Sequence, residues 1–586
     1  MRVCDYIAQR LYEAGVRQIY GMVGGGTAGL NDGFHNHGGL EFVSFHHEQG
    51  AGHAAVAASR TNHKLAVVNV TTGCGGTNAI TSCLDAWQES APVLFISGNT
   101  RLNNMAKWIN EKQGLNLRRY GLQEHDIVTT VSNLTKYALI ISNVHNVAFQ
   151  LDKAIHIATT GRPGPVWLDI PGDIQTAEMP ENPSRWTPPA DTEVKLDLAA
   201  ALTAFTNSNR PIVVAGAGIA HSGANQLFRE FVETHNIPFV TTFLTKDLIE
   251  TDHPLNIGMI GIKGNRAANF AMQNADCLLI LGSSMNVSHI GYDAKSFSPA
   301  SIKIHVDIDP SELQKGIFKV DIPIQADCKL FLEQFDVLHS WSDWASNCLH
   351  WKRKWPLYNE AIHRSDLGGI NLYEVVECLN KNMRSNDALI VDAGQPCYVC
   401  STNGKFKQGQ RYWAQAAQGD MGYAIPAMVG IHKTNPSLNL IACIGEGSFM
   451  TNVQELATLV QHKVPAKILV INNDGYMSIK QTQTKFFGGR VFGVSESTGV
   501  HFPDIAEIAR AFGINHCRVH KNQQLEQAMP MFLNSEQPVI LEVISQTELD
   551  VQPAQAIKPD GTQGALHDMS PFLSQEELDA EMIIKL

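Results

Sequence analysis

The stretch "NLIACIGEGSFMTNVQELATLVQHKVPAKILVINN", residues 439–473, reads as strand, glycine turn, helix and strand. "NLIACIGEG" is a short apolar run closed by glycines, "TNVQELATLVQH" carries a helical pattern, and "AKILVINN" is a second apolar run that ends on paired asparagines. Runs of this kind, apolar on both faces and separated by helices, belong to buried parallel sheets. The usual right-handed crossover sets two such strand ends side by side, so Asn472 is expected near Glu446.

Working outward, the same alternation recurs in "KLAVVNV", "APVLFISGN", "GPVWLDI", "RPIVVAGAG", "IPFVTTF", "DCLLILG", "IKIHVDID" and "DALIVDAG". The fold class expected is α/β, with three doubly wound parallel-sheet domains. A proline-rich polar stretch at 170–193 and a Trp-rich charged stretch at 339–360 mark the junctions. They divide the chain into 1–175, 190–340 and 365–550, with a tail at 551–586. A weak internal repeat links the outer two units, since Gly73, Pro92 and Asn99 parallel Gly445, Pro465 and Asn472 in order and near-equal spacing. Duplication and chance likeness between two strand-helix-strand units both explain it.

The 586 residues are 44% hydrophobic and 17% charged, a globular composition too long for one core. A net charge of -12 without clustered Lys and Arg argues against a nucleic-acid partner. No apolar run approaches the ~20 residues that cross a bilayer, so no membrane is expected. The N-terminus spaces Val3, Ile7, Leu11 and Ala14 along one helix face and lacks an apolar signal core, which gives a soluble, cytoplasmic expectation. Eleven scattered cysteines read as reduced, and the Cys397–Cys400 pair lacks the partners of a zinc set.

Gly445, Glu446, Gly447 and Ser448 stand where a strand ends and a helix begins, a place that suits an anion such as phosphate. A carboxylate from Glu446 and an amide from Asn472 supply the oxygen donors that Mg²⁺ prefers. The stretch thus reads as a magnesium-diphosphate clamp, or, taken alone, as an ordinary turn followed by an ordinary strand exit.

The rest of the chain bears on that choice. "FHHEQGAGHAAVAASR", "TTGCGGTNAITSCLDAWQESAPVLFISGN", "GRPGPVWLDIP", "GDMGYAIPAMVGI" and "GEGSF…NVQELATL…NN" follow one another in order. Together they resemble the segments of thiamine-diphosphate enzymes of the acetolactate synthase-like family, over more than 400 residues. The resemblance implies a pyrimidine-binding, a central and a diphosphate-binding domain. Two positions depart from the family: Glu446 replaces an aspartate, and Cys74 replaces the proline of a Gly-Pro-Gly turn.

The resemblance also implies roles. Glu48 matches the glutamate that bonds the aminopyrimidine ring of thiamine diphosphate. Met421 matches the apolar wedge that bends the coenzyme, and the Gly419 carbonyl accepts from its amino group. Gly445, Gly447 and Ser448 hold diphosphate, Gly73 of the Gly-Pro-Gly segment is a further cofactor-binding residue, and Glu446, Asn472 and the Asp474 carbonyl hold Mg²⁺. Gln123 and Gly25 stand near the reacting centre.

By the same resemblance the enzyme decarboxylates a 2-oxo acid, pyruvate first among them, and passes the acyl unit to a carbonyl acceptor. "DGYMSIKQTQTKFFGG" and the tail "KPDGTQGALHDMSPFL" are similar to the subgroup of surface-polysaccharide and branched-sugar pathways, which points to a keto-sugar nucleotide acceptor. Acetolactate synthase proper, a C–C hydrolase or lyase on the same coenzyme, and a non-catalytic paralogue are the rival readings. FAD stays open: Asp307 and Asp309 stand where a flavin nucleotide is contacted, but Ser284 replaces the usual arginine. The "GAGIAHSG" run fits NAD poorly because its third glycine, Gly223, comes late. A homodimer or homotetramer with sites at the subunit interface completes the expectation.

Overall fold

The computed structural model describes residues 1–190, 194–415 and 417–584, and among them the apolar runs form three six-stranded sheets whose strand pairs are all parallel. The first holds β1 (Gln18–Gly21), β2 (Glu41–Ser44), β3 (Ala66–Val70), β4 (Val93–Asn99), β5 (Tyr137–Ile140) and β6 (Val166–Pro171). The second holds β7 (Pro211–Ala215), β8 (Phe239–Thr241), β9 (Asn256–Met259), β10 (Cys277–Leu281), β11 (Ile302–Asp307) and β12 (Ile322–Gln325). The third holds β13 (Asp387–Val391), β14 (Arg411–Ala414), β15 (Asn439–Gly445), β16 (Lys467–Asn472), β17 (Asn515–Val519) and β18 (Val539–Ile544).

The strand orders are β2-β1-β3-β4-β6-β5 and β14-β13-β15-β16-β18-β17 in the outer sheets. These are the same order, and the repeat noted in the sequence occupies the same two central strands of each, β3–β4 and β15–β16. The middle sheet runs β12-β11-β10-β7-β8-β9, with its topological switch between β7 and β10, where open α/β sheets bind ligands.

Buried Val67, Val68 and Val70, Ile212 to Val214, and Ile468 to Ile471 show why the strands lack alternation: helices cover both faces. The outer units share one core. The helix Glu48–Asn62 is lined by Ala51, Ala54, Ala55 and Ala57, and it packs on Ala424, Ala427 and Ile431 of the helix Ala424–Thr434. Contact is close enough that a side chain at Gly430 would run into the Ala54 carbonyl.

Two readings change in the structure, and the tail gains a place. The first junction starts later than 170, because Ile170 and Pro171 pair with Gly98 and Asn99 in β6. Buried Gln175 then ties the following turn to the Gly26 and Ile170 carbonyls at 2.7 Å. The end of that stretch, 191–193, lies outside the described residues. The 339–360 stretch is no linker: Ser342–Lys354 is a helix whose Trp344, Cys348 and Trp351 enter the middle core. Trp341 and Trp344 donate to the Ser208 and Pro211 carbonyls. The tail folds back on the middle unit, with Leu566 in its core and the helix Gln575–Glu581 beside Trp351 and Trp355. Among the described residues no helix is long and apolar enough to cross a membrane.

Candidate active site

In the first unit the Glu48 carboxylate is buried at the start of its helix, 5% exposed, and accepts from Asn78 Nδ2 at 3.0 Å through Oε2. Its other oxygen faces the glycine turn after β3, where a side chain on Gly75 would meet Oε1 at 3.1 Å. Gly73 has φ +63, open to glycine alone without strain, and a side chain there would strike the Gln123 carbonyl. Gln123 is itself left-handed, φ 56, and exposed. Gly26 donates its N–H to Thr71 Oγ1 at 3.1 Å, which sets exposed Gly25 against the same turn. Glu48, Gly73, Gln123 and Gly25 therefore form one cluster. Cys74, exposed and free, starts the short helix that leads to Asn78.

The second cluster belongs to the third unit. β15 and β16 pair in register, Gly445 opposite Ile471, and so bring Glu446 to Asn472. Glu446 Oε1 accepts from the Asn473 N–H at 3.0 Å and the Gly475 N–H at 2.6 Å. The methylene that distinguishes it from aspartate is spent in reaching this turn, where Asp474 sits at φ 65. Glu446 Oε2 is buried and has no hydrogen-bond partner among the described residues. Burial, opposed by the turn's N–H groups, pushes its carboxyl up to about 7. A cation beside Oε2 would offset that burial, and the orphaned oxygen is the observation that makes the residue set fit Mg²⁺.

Asn472 is held through Nδ2 by Glu542 Oε1 at 2.7 Å, and its Oδ1, which accepts from the Asp474 N–H at 3.5 Å, keeps a second lone pair for a cation. Glu542, fully buried in β18, also takes His516 at 2.8 Å and Arg518 at 2.7 Å. Glu446, Asn472 and Asp474 line a cleft of about 470 Å³ whose whole lining comes from the third unit. At its edge Ser448 is buried, Gly445 faces open space, and a side chain on Gly447 would strike the Tyr476 ring. The strand-to-helix turn leaves backbone N–H groups free of intrahelical partners, as a diphosphate requires.

Gly419 is left-handed, φ +68, and borders open space, while Met421 is 39% exposed and so is not a core methionine. Buried Asp392 fixes the far side of this turn by accepting from the Gly422 and Ala424 N–H groups at 3.0 and 2.8 Å. Sequence reasoning passed over Asn78, Asp392 and Glu542. The last had a signal, an acid inside the apolar run "VILEVI".

Three domain families match the chain in order. They are described as the thiamine pyrophosphate enzyme N-terminal binding domain over residues 1–129, the central domain over 198–335 and the C-terminal binding domain over 392–543. The acetolactate synthase large subunit of Lactococcus lactis is 31% identical over 547 residues, covering 92% of this chain and 91% of that protein. The isozyme 2 large subunit of Escherichia coli is 29% identical over 548 residues, covering 93% and 95%. The Haemophilus influenzae large subunit is 27% identical over 590 residues, covering 98% of each. With matching domains in all three units and a 31% identical relative along nine-tenths of its length, the chain belongs to the acetolactate synthase-like family of thiamine-diphosphate-dependent enzymes, a family of carboligases and acyl transferases.

Proposed function

We propose that this protein decarboxylates a 2-oxo acid, pyruvate first among candidates, and transfers the acyl unit to a carbonyl acceptor. The observation that carries the reading is the buried, unpartnered Oε2 of Glu446 beside Asn472 and Asp474. Thiamine diphosphate held there with Mg²⁺ supplies the electron sink for carbanion chemistry. The chain's own groups do the rest. Glu48, with Oε2 held by Asn78, offers Oε1 to keep a proton on the aminopyrimidine nitrogen. The Gly419 carbonyl would orient the amino group, Met421 would pack against the coenzyme, and Ser448 with Gly445 and Gly447 would seat the diphosphate. Gln123 and Gly25 border the space left for the reacting carbonyl.

The Glu48 cluster and the Glu446 cleft are built by different units, and the cleft's lining includes nothing from the first. This arrangement supports a homodimer or homotetramer that brings the Glu48 cluster of one chain to the cleft of another, checked by sedimentation. For the acceptor, the segment from Met477 onward exposes Phe486, Phe487 and Phe492, an aromatic surface suited to a sugar nucleotide. Acetolactate formation is the second reading, favoured by the relatives' names.

A cavity of about 330 Å³ opens at the switch between β7 and β10, lined in part by Gly218, Ser284, Asp307 and Arg162. It suits the nucleotide portion of FAD, with Asp307 facing it. Asp309 is engaged by Arg162 at 3.3 Å. Yellow absorbance of the purified protein decides whether flavin is kept.

The test is a screen of 2-oxo acids against carbonyl acceptors, including pyruvate itself and a keto-sugar nucleotide, run beside Glu48→Gln. CO₂ release that needs Mg²⁺ and coenzyme is expected from the parent. The variant should keep its fold and lose at least about a hundredfold in turnover. Undiminished turnover in Glu48→Gln overturns the assignment.

A further inference from the structure

His53 lies inside the boundary between the first and third units, on the helix that Glu48 opens, and is fully buried. Its Nδ1 is hydrogen-bonded to Asp85 Oδ2 at 3.1 Å on the helix Ile80–Gln88, and its Nε2 is 2.8 Å from Asp420 Oδ2, a charge contact out of hydrogen-bond alignment, since neither Asp420 oxygen has a hydrogen-bond partner among the described residues. Asp420 sits between Gly419 and Met421. Gln49 approaches Nε2 at 3.4 Å, and the Tyr423 ring meets the imidazole edge-on with centroids 5.6 Å apart. Other charged groups at this boundary are Arg60, further along the same helix, and Glu89 just beyond the helix of Asp85, 3.7 Å apart, buried Glu455, which accepts from the His46 N–H at 3.4 Å beside Gly50, and the Lys433–Glu41 pair.

A neutral imidazole carries one N–H and serves one carboxylate. Two carboxylates at its two nitrogens call for both nitrogens to be protonated. Burial alone would lower the basicity of His53, but Asp420 and Asp85 more than reverse this and raise it to about 10. The loop is also tied at its start, where the Ala417 N–H donates to Glu89 Oε1 at 3.1 Å, and at its end, where Asn452 Nδ2 donates to the Gly422 carbonyl at 2.8 Å, so the middle of the turn is the part left to Asp420. Gly419 and Gly422 are both left-handed, and Asp420 is the acidic side chain between them.

We propose that His53 is a positioning residue for the coenzyme-facing loop: an imidazolium bridging Asp85 and Asp420 that pins the Gly419–Met421 turn to the helix headed by Glu48. The assignment of that loop to the coenzyme rests on the function proposed above, while the pin itself does not. The same three residues also have ligand atoms close enough to share a metal ion, all within 4.8 Å, so the test separates a proton from a metal.

The full-length variants His53→Gln and Asp420→Asn are compared with the parent. In the coenzyme-free proteins, amide exchange across 417–423 should quicken about tenfold. With saturating Mg²⁺, the apparent KM and Kd for thiamine diphosphate should rise about tenfold while kcat at saturating coenzyme stays within about threefold. The double variant should be no worse than either single one, because one unit has been removed. Unchanged exchange and affinity in both variants overturn the pin, and quicker exchange with unchanged affinity reduces it to a structural contact. Stoichiometric metal in the parent that both variants lose also overturns it. If the parent fails to bind thiamine diphosphate, the functional reading falls, and exchange across the loop still judges the pin. Asp420→Asn keeps the size of its side chain and serves if His53→Gln does not fold.

Discussion

Glu446 is one methylene longer than the aspartate of the family signature, and its two oxygens have divided duties. Oε1 closes the 473–475 turn, while Oε2 faces the cleft without a partner among the described residues. Glu446→Gln can keep the first duty, since an amide oxygen still accepts from Asn473 and Gly475, but it turns a donor toward the cation. Mg²⁺ affinity, read by titration in the presence of thiamine diphosphate, should fall at least about tenfold while the melting temperature holds. The pairing of Glu446 with Asn472 was legible because adjacent strands and a right-handed crossover leave one place for both. Asn78 was not, because it reaches Glu48 across a tertiary contact that no local pattern encodes, and for Glu542 the acid inside an apolar run marked the residue but not its partner.

Among elements, the packing of the Glu48–Asn62 helix on Ala424–Thr434 decides how the outer units meet. Gly430 permits the approach, so Gly430→Ala should destabilise by about 1–3 kcal/mol in urea unfolding, through overpacking against the Ala54 carbonyl. The same boundary has a pH signature. His53 is raised from 6.5 to about 10, first against burial and then by Asp420 and Asp85, so the folded state keeps a proton that the unfolded chain releases above 6.5. Its stabilisation is full below about pH 6.5 and is lost as pH rises through about 10. The stability gap between parent and His53→Gln should therefore narrow across that window in urea titrations. The helix at Ser342–Lys354 was hidden for a different reason. Its Lys and Arg residues gave the stretch the look of a linker, although Trp341, Trp344, Cys348 and Trp351 fall on one helical face.

For the molecule as a whole, the alternation of apolar runs was enough for three parallel sheets, because strands covered on both faces carry a continuous signal. The return of the tail was not legible, since it is held by contacts such as Arg266 Nη2 donating to the Met569 carbonyl at 3.1 Å and Trp351 to Glu581 at 2.7 Å. Removing residues after 553 strips a buried guanidinium of its carbonyl partners and should cost the middle unit about 1–3 kcal/mol, seen as a lower melting temperature and altered tryptophan fluorescence. The order of synthesis acquires meaning from this strap. As the nascent polypeptide emerges from the ribosome, the central lobe must wait until the strap at 566–581 has left the exit tunnel before it is sealed, so that a product interrupted before the strap carries an unfinished lobe that a quality-control protease can recognise.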